Sequence, residues 1–211
     1  MLPLSLDLTR LRIALIGHGA DALRRFRWLG EAGASAVSVF AASPSPELAA
    51  AAMPLQRRWP SKADFSGMRL VFIADVAEPQ RSALAEAARA AGALVHVEDL
   101  PALCDFHAPS ILRRGDLTIA VSTNGAAPGL AAEVKQYLAE LFGPEWQSRV
   151  DDLKVLRRYW RARGRSHRTI RRLTAARIAR QGWLVTRRKP AANDPGRRST
   201  QQEVDHVSQS W

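Results

Sequence analysis

Residues 11–22 read LRIALIGHGADA, an apolar run that leads into a glycine loop and then into a helical pattern. Residues 11–16 are short and almost continuously apolar, which predicts a strand buried inside a parallel sheet. The pattern Gly17-x-Gly19-x-x-Ala22 follows at the junction of strand and helix, where dinucleotide-binding proteins place their phosphate loop. This stretch therefore predicts a Rossmann-type fold.

The glycine loop supplies the candidate cofactor-binding residues. Gly17 permits the tight turn, Gly19 lets the backbone approach a pyrophosphate, and Ala22 is small enough for the helix to lie close to the strand. Free N–H groups at the start of the helix and the helix dipole favour a bound anion there. The alternative is a glycine turn in an α/β protein that binds no dinucleotide. The candidates are Gly17, His18, Gly19, Ala20, Asp21 and Ala22.

The ribose end of the cofactor is less clearly marked. An Asp or Glu about 20 residues after the loop usually binds the ribose hydroxyls. The second predicted strand, residues 36–40, is instead followed by Ala41-Ala42-Ser43, and no arginine follows closely that would favour a 2′-phosphate. Ser43 is the candidate for a weaker ribose contact, and we predict NAD as the cofactor rather than NADP.

Strands and helices alternate through the first half of the chain, which predicts a parallel, doubly wound sheet. A further strand and helix after it predict a small α+β unit, and a helical composition then extends to residue 185 with a break near Gly164. The polar end of the chain is typical of disorder. The predicted domains are a Rossmann domain at 1–112, a dimerisation and substrate unit at 113–144, a basic helical segment at 145–186 and a disordered tail at 187–211.

Composition restricts the class of protein. The 211 residues contain one cysteine, Cys104, which excludes an intrachain disulfide. No apolar run reaches the roughly 18–20 residues of a membrane helix, and the N-terminus lacks the pattern of a secretory signal. These features predict a soluble cytoplasmic protein without a membrane span.

The net charge of +11 is concentrated near the C-terminus. From Arg149 to Lys189, fifteen Lys and Arg stand against two acids, Asp151 and Asp152. The favoured interpretation is a solvated helical face, followed by a wall that steers an acidic substrate. Binding to nucleic acid or to a membrane surface is a third interpretation, and we do not expect nucleic acid as a partner.

Several segments together resemble the precorrin-2 dehydrogenase family, the N-terminal type of siroheme synthase. VHVEDLPALC at residues 95–104 is similar to the family's VNVVDDPELC, and LTIAVSTNGAAP at 117–128 is similar to LTIAISTGGASP. The resemblance covers about residues 2–143 and includes the glycine loop. It implies NAD-dependent oxidation of precorrin-2 to sirohydrochlorin by a homodimer, and some family members also insert iron into sirohydrochlorin.

The resemblance also implies site residues. Asp99 matches an aspartate that the family places near the chemistry, where a carboxylate can act as general base; the alternative is a turn residue or cap before Pro101. Ser122, Thr123 and Asn124 are candidates for contacts with the carboxylates of the tetrapyrrole, and the alternative is a strand-ending turn. We assign no metal ligands.

Some positions depart from the family's pattern. His18 replaces a loop glycine, His96 replaces an asparagine and Leu100 replaces an aspartate. These departures fit a diverged relative that keeps the fold but has a changed substrate. The alternative function is that of a non-catalytic family member that binds an acidic partner through its basic C-terminal helices.

Overall fold

The computed structural model describes residues 2–52 and 54–184. Its main sheet has five parallel strands in the order β3-β2-β1-β4-β5. The strands are β1 (Arg12–Ile16), β2 (Ala36–Phe40), β3 (Leu55–Gln56), β4 (Leu70–Ile73) and β5 (Leu94–Val97), and the helices between them are α1 (Ala20–Glu31), α2 (Pro46–Ala51) and α3 (Gln80–Ala90). This arrangement confirms the predicted Rossmann-type sheet.

Both faces of the sheet are buried. Alternate side chains of each strand point to opposite faces, and each face packs into a hydrophobic cluster of its own. On one face, Ile16, Ile73 and Val97 belong to a cluster that includes Leu84 of α3. On the other face, Leu15 and neighbouring strand residues pack with α1 and α2. The continuous apolar runs of β1 and β4 follow from this burial on two sides.

A small antiparallel sheet and a helix follow the Rossmann sheet. β6 (Ser110–Arg114) pairs with β7 (Leu117–Val121), and α4 (Pro128–Leu141) comes next. β6 is absent from the elements predicted from the sequence, and the predicted domain boundary at residue 113 falls inside this strand. The overlooked signal is the Gly115-Asp116 pair between the two strands, which is typical of a hairpin turn.

Residues from Glu145 onward form a second compact unit. It contains α5 (Trp146–Ala162) and α6 (His167–Arg180), which are separated near Gly164 as predicted. Arg177 of α6 donates to Asp152 of α5 over 2.9 Å, so an ion pair joins the two helices. The predicted disordered tail at 187–211 lies outside the described residues. Within the described ranges, no helix combines the length and the apolarity that crossing a membrane requires.

Candidate active site

The glycine loop has the tight geometry that the sequence predicts. A Cβ atom added to Gly17 would lie 2.2 Å from the carbonyl oxygen of Ala74, so only glycine fits beside β4. Ala22 is fully buried, and α1 therefore begins close against the sheet. The loop follows β1 at the edge of the sheet where the parallel strands end, the position at which this fold class binds ligands.

A carboxylate that the sequence analysis missed occupies the start of α1. The Oδ2 atom of Asp75, just beyond β4, accepts hydrogen bonds from the N–H groups of Gly19 (3.0 Å) and Ala22 (2.9 Å). A Cβ at Gly19 would lie 2.9 Å from the carboxyl carbon of Asp75. The loop thus holds an anion at the helix terminus, and that anion belongs to the chain itself.

The remaining loop candidates have separate surroundings. His18 lies edge-on to Trp59, and its buried Nδ1 atom has no hydrogen-bond partner within residues 2–52 and 54–184. Ser43 is exposed after β2. Arg58 stacks over Phe40 at the end of β2, but Asp64 accepts from both of its terminal nitrogens at 2.7 Å. Because this guanidinium is already paired, it offers little extra attraction for a 2′-phosphate.

A cavity of about 690 Å³ lies beyond the end of β5. It brings together Asp99, Ser122 and Thr123, three of the residues that the resemblance implies. Asn124 does not line it, although residues on both sides of Asn124 do. The loop residues 17–22 do not line it either, whereas Arg24 and Arg25 of α1 do. Helix α1 and the small antiparallel sheet therefore contribute to the walls of the cavity, whereas the glycine loop does not.

Asp99 is well placed to contact a ligand in this cavity. It lies two residues beyond β5 with a φ angle of 58°, a left-handed conformation that aspartate tolerates better than most residues. The residue is exposed, and its carboxylate accepts no hydrogen bond from any described residue. Asp99 does not cap the short turn at Pro101–Leu103, whose N-cap is Leu100. The geometry therefore removes the cap interpretation and leaves the carboxylate available.

Glu98 joins the end of β5 to α1. Its carboxylate accepts from Arg25 over 2.6 Å and from Arg24 over 3.1 Å, and Nε2 of His96 lies 3.6 Å away. The contact with His96, followed by that with Arg25, lowers the pKa of Glu98 to about 2. Arg25 also stacks over Trp28 at 5.1 Å. This cluster fixes one wall of the cavity and holds Glu98 ionised at neutral pH.

The hydroxyls opposite Asp99 accept hydrogen bonds from their own turn. Ser122 Oγ accepts from the N–H of Asn124, and Thr123 Oγ1 accepts from the N–H of Ala127, each over 3.1 Å. Since each hydroxyl also carries a proton, both can still donate to an anionic ligand. Asn124 has a φ angle of 54° and turns the chain, as the alternative interpretation of this segment expects.

Two further cations line the cavity that the sequence analysis did not assign to it. Arg113 of β6 and Lys135 of α4 have no carboxylate partner among the described residues. Glu31 is the acid that also lines this part of the cavity. The sequence signal that could have led to Arg113 is the hairpin turn after β6. The proximity of Arg113 to Lys135 has no local signal, because β6 and α4 come together only in the folded unit. Their charges suit an acidic ligand.

His96 and Cys104 belong to the packing of the site. His96 is buried between Phe72 and Phe106, and its Nδ1 lies 3.1 Å from the carbonyl oxygen of Phe106. Burial raises the pKa of the Cys104 thiol, which disfavours the nucleophilic thiolate. The described residues contain no group of three His, Cys, Asp or Glu side chains placed to hold a metal ion.

Two protein-family models together match most of this chain. Residues 4–110 match a family described as putative NAD(P)-binding, and residues 114–141 match the central region of sirohaem biosynthesis proteins. Siroheme synthase from Methylococcus capsulatus is 38% identical over 138 residues, which cover 64% of this chain. Siroheme synthase from Chromobacterium violaceum is 35% identical over 178 residues, or 75% of this chain. The chain spans 29% and 37% of the lengths of these relatives.

A solved structure has a similar fold. The chain titled SirC, precorrin-2 dehydrogenase, superposes with a TM-score of 0.70 and 22% identity, covering 88% of this chain and 94% of that one. At this identity the likeness concerns the fold. The family matches and the siroheme synthase relatives confirm the resemblance drawn from the sequence. The chain belongs to the family described as putative NAD(P)-binding, and its next segment matches the central region of sirohaem biosynthesis proteins, as its similarity to siroheme synthases leads one to expect.

Proposed function

We propose that this protein oxidises precorrin-2 to sirohydrochlorin with NAD as the electron acceptor, a step of siroheme biosynthesis. The observation that carries the proposal is the cavity that joins Asp99 to Ser122 and Thr123. These residues lie on two separate segments of the sequence, each similar to a segment of the family. Their convergence on one space, next to two cations that have no carboxylate partner in the described part of the chain, supports an acidic tetrapyrrole as the ligand.

The reaction removes a hydride and a proton from the substrate. NAD⁺, when bound, accepts the hydride. The exposed Asp99 carboxylate takes the proton, since it lies in the cavity without a competing hydrogen bond from any residue that the structure describes. Ser122 and Thr123 donate to substrate carboxylates, and Arg113 and Lys135 attract them by charge. Iron insertion by the same cavity stays a prediction from the resemblance.

The backbone of the glycine loop is suited to a dinucleotide, although the Asp75 carboxylate lies against Gly19. Neither Gly17 nor Gly19 has space for a Cβ atom, and the N–H groups of Ala20 and Asp21 lie in the first turn of α1. The Nδ1 atom of His18, which no described residue contacts by a hydrogen bond, is a further polar atom in this loop that a ligand can satisfy. Residues 17–22 would hold the pyrophosphate, and Ser43 would contact the ribose.

The proposal is tested by turnover of the purified full chain. Precorrin-2 and NAD should yield sirohydrochlorin and NADH in equal amounts. The two products are measured by their separate absorbance bands. NADP in place of NAD should react more slowly. Absence of product under conditions in which an authentic family enzyme works would contradict the proposed activity.

The proposal includes a homodimer in the cytoplasm. Helix α4 carries an exposed apolar stripe at helical spacing, and such stripes mark protein interfaces. Sedimentation should give a dimer mass, and Tyr137→Glu should shift it toward the monomer; a monomeric wild type would contradict this part. The stripe consists of Leu130, Val134, Tyr137 and Leu141, which are 58%, 36%, 56% and 50% exposed.

The basic C-terminal helices support a second candidate function, binding of an acidic partner. Of the charged residues from 145 to 184, twelve are Lys or Arg and three are acids. The three acids each pair with one cation, namely Arg149, Lys154 and Arg177. The other arginines leave a strongly positive surface within this unit. Binding that weakens steeply with salt and survives loss of Asp99 would support this candidate.

A further inference from the structure

We infer that Asp75 is a built-in competitor for the phosphates of the dinucleotide, which must displace its carboxylate from the start of α1 in order to bind. The inference rests on the proposed dinucleotide site and adds a residue that lowers the affinity of that site for the cofactor.

Hydrogen bonds place the carboxylate where a phosphate would bind. One oxygen, Asp75 Oδ2, accepts from the N–H groups of both Gly19 and Ala22. Gly19 provides the space in which such a fold lets a pyrophosphate approach the backbone. In this chain the carboxyl group fills that space, since a Cβ at Gly19 would lie 2.9 Å from two of its atoms.

Charge makes the two ligands exclusive. The terminus of α1 attracts one anion through its N–H groups and dipole. Asp75 forms no ion pair with any described residue, so no cationic side chain neutralises its charge as a pyrophosphate approaches. Asp21, in the first turn of α1, is a second carboxylate in this loop, but Arg24 pairs with it.

The backbone holds Asp75 in this position. Its φ angle is 56°, in the left-handed region that few residues other than glycine adopt and that aspartate and asparagine tolerate best. Asp75 also caps α1 from a distant part of the chain, because the N-cap residue Gly19 has no side chain to do so. A purely structural cap and a competitor for phosphate make different predictions, and one substitution separates them.

The substitution is Asp75→Asn. Asparagine keeps the left-handed backbone and one oxygen that accepts from the helix N–H groups, but it carries no charge. The variant should bind NAD about tenfold or more tightly than the wild type, the scale expected when one charge repulsion at close range is removed. Its melting temperature should fall slightly, because a neutral cap interacts less favourably with the helix dipole.

The experiment is a calorimetric titration of NAD into the full-length wild type, Asp75→Asn and the control Glu86→Gln. The control removes an exposed carboxylate from α3 of the same unit. Tighter binding by Asp75→Asn alone supports the inference. Wild-type and variant dissociation constants within twofold of each other, with a lower melting temperature in the variant, would show a structural cap and overturn it.

The same titration separates this inference from the proposed function. Binding by Asp75→Asn without binding by the wild type would support the competitor and contradict NAD-dependent activity of the wild type. Binding by neither protein would overturn both. Binding by both with equal affinity would overturn the competitor alone and leave the proposed function standing.

Discussion

The phosphate loop and the Asp99 cavity lie at the same edge of one sheet, but they differ in what their polar groups already contact. In the loop, the N–H groups of Gly19 and Ala22 are satisfied by Asp75. In the cavity, the carboxylate of Asp99 has no partner among the described residues, and the hydroxyls of Ser122 and Thr123 can still donate. A glycine motif thus fixes the shape of a site, whereas the neighbouring side chains decide whether the site is open.

The largest effect should come from the free carboxylate of the cavity. Asp99→Asn keeps the size and the left-handed backbone of the residue but cannot take a proton. Dehydrogenation should fall by about 10²- to 10⁴-fold, the usual contribution of a general base. The measurement is the single-turnover rate of sirohydrochlorin formation with saturating precorrin-2 and NAD.

Glu86→Gln is the matched control for this variant. Sirohydrochlorin should bind Asp99→Asn with nearly wild-type affinity, because the loss concerns proton transfer. A single-turnover rate within fivefold of the wild type would remove Asp99 from the chemistry and return it to the role of a turn residue.

The second-largest effect concerns Glu98, which links the end of β5, beside the cavity, to helix α1, which follows the phosphate loop. Arg24 and Arg25 of α1 pair with it at the end of β5, and its side chain is 16% exposed. Its pKa falls from the ordinary value of 4.5 to about 2 on folding. The stabilisation is therefore fully present above the unfolded pKa and is lost as the pH falls toward the folded one.

Glu98→Gln should lower the free energy of unfolding near neutral pH by up to roughly 3 kcal/mol. The difference between wild type and variant should shrink by about two fifths near pH 3.5. Urea unfolding at both pH values measures it. A difference that stays constant with pH would mean that the carboxylate is not held ionised by its histidine and arginine neighbours.

The smallest effect should come from the hydroxyls. Ser122→Ala and Thr123→Val should each raise the KM for precorrin-2 by roughly tenfold, since each removes one hydrogen bond to a charged group worth about 1.5 kcal/mol. The kcat should change little. Asn124→Gly is the control, because Asn124 turns the chain without lining the cavity. An equal rise in KM for that control would show that the turn, rather than the hydroxyls, determines substrate affinity.

The sequence was sufficient for the elements whose signal is local. The apolar run of β1, the glycine loop and the helix after it all follow from neighbouring residues, and the strand at 36–40 matches the predicted range. Ser122 and Thr123 were placed by resemblance to a family, and their convergence with Asp99 depends on folding.

The contacts that the sequence did not reveal are distant in the chain. Asp75 meets Gly19 across 56 positions, and nothing near either residue indicates the pairing. Arg113 and Lys135 reach the cavity only because a two-residue turn folds β6 onto β7 beside α4. Such features arise from tertiary packing, which periodicity and motif spacing do not encode.

The most direct test of the account is a crystal structure of the full chain with sirohydrochlorin bound. The account predicts the tetrapyrrole in the cavity beyond β5, with a ring atom within about 3.5 Å of the Asp99 carboxylate and its own carboxylates near Ser122, Thr123 and Arg113. A tetrapyrrole bound elsewhere, such as on the arginine-rich helices α5 and α6, would contradict it.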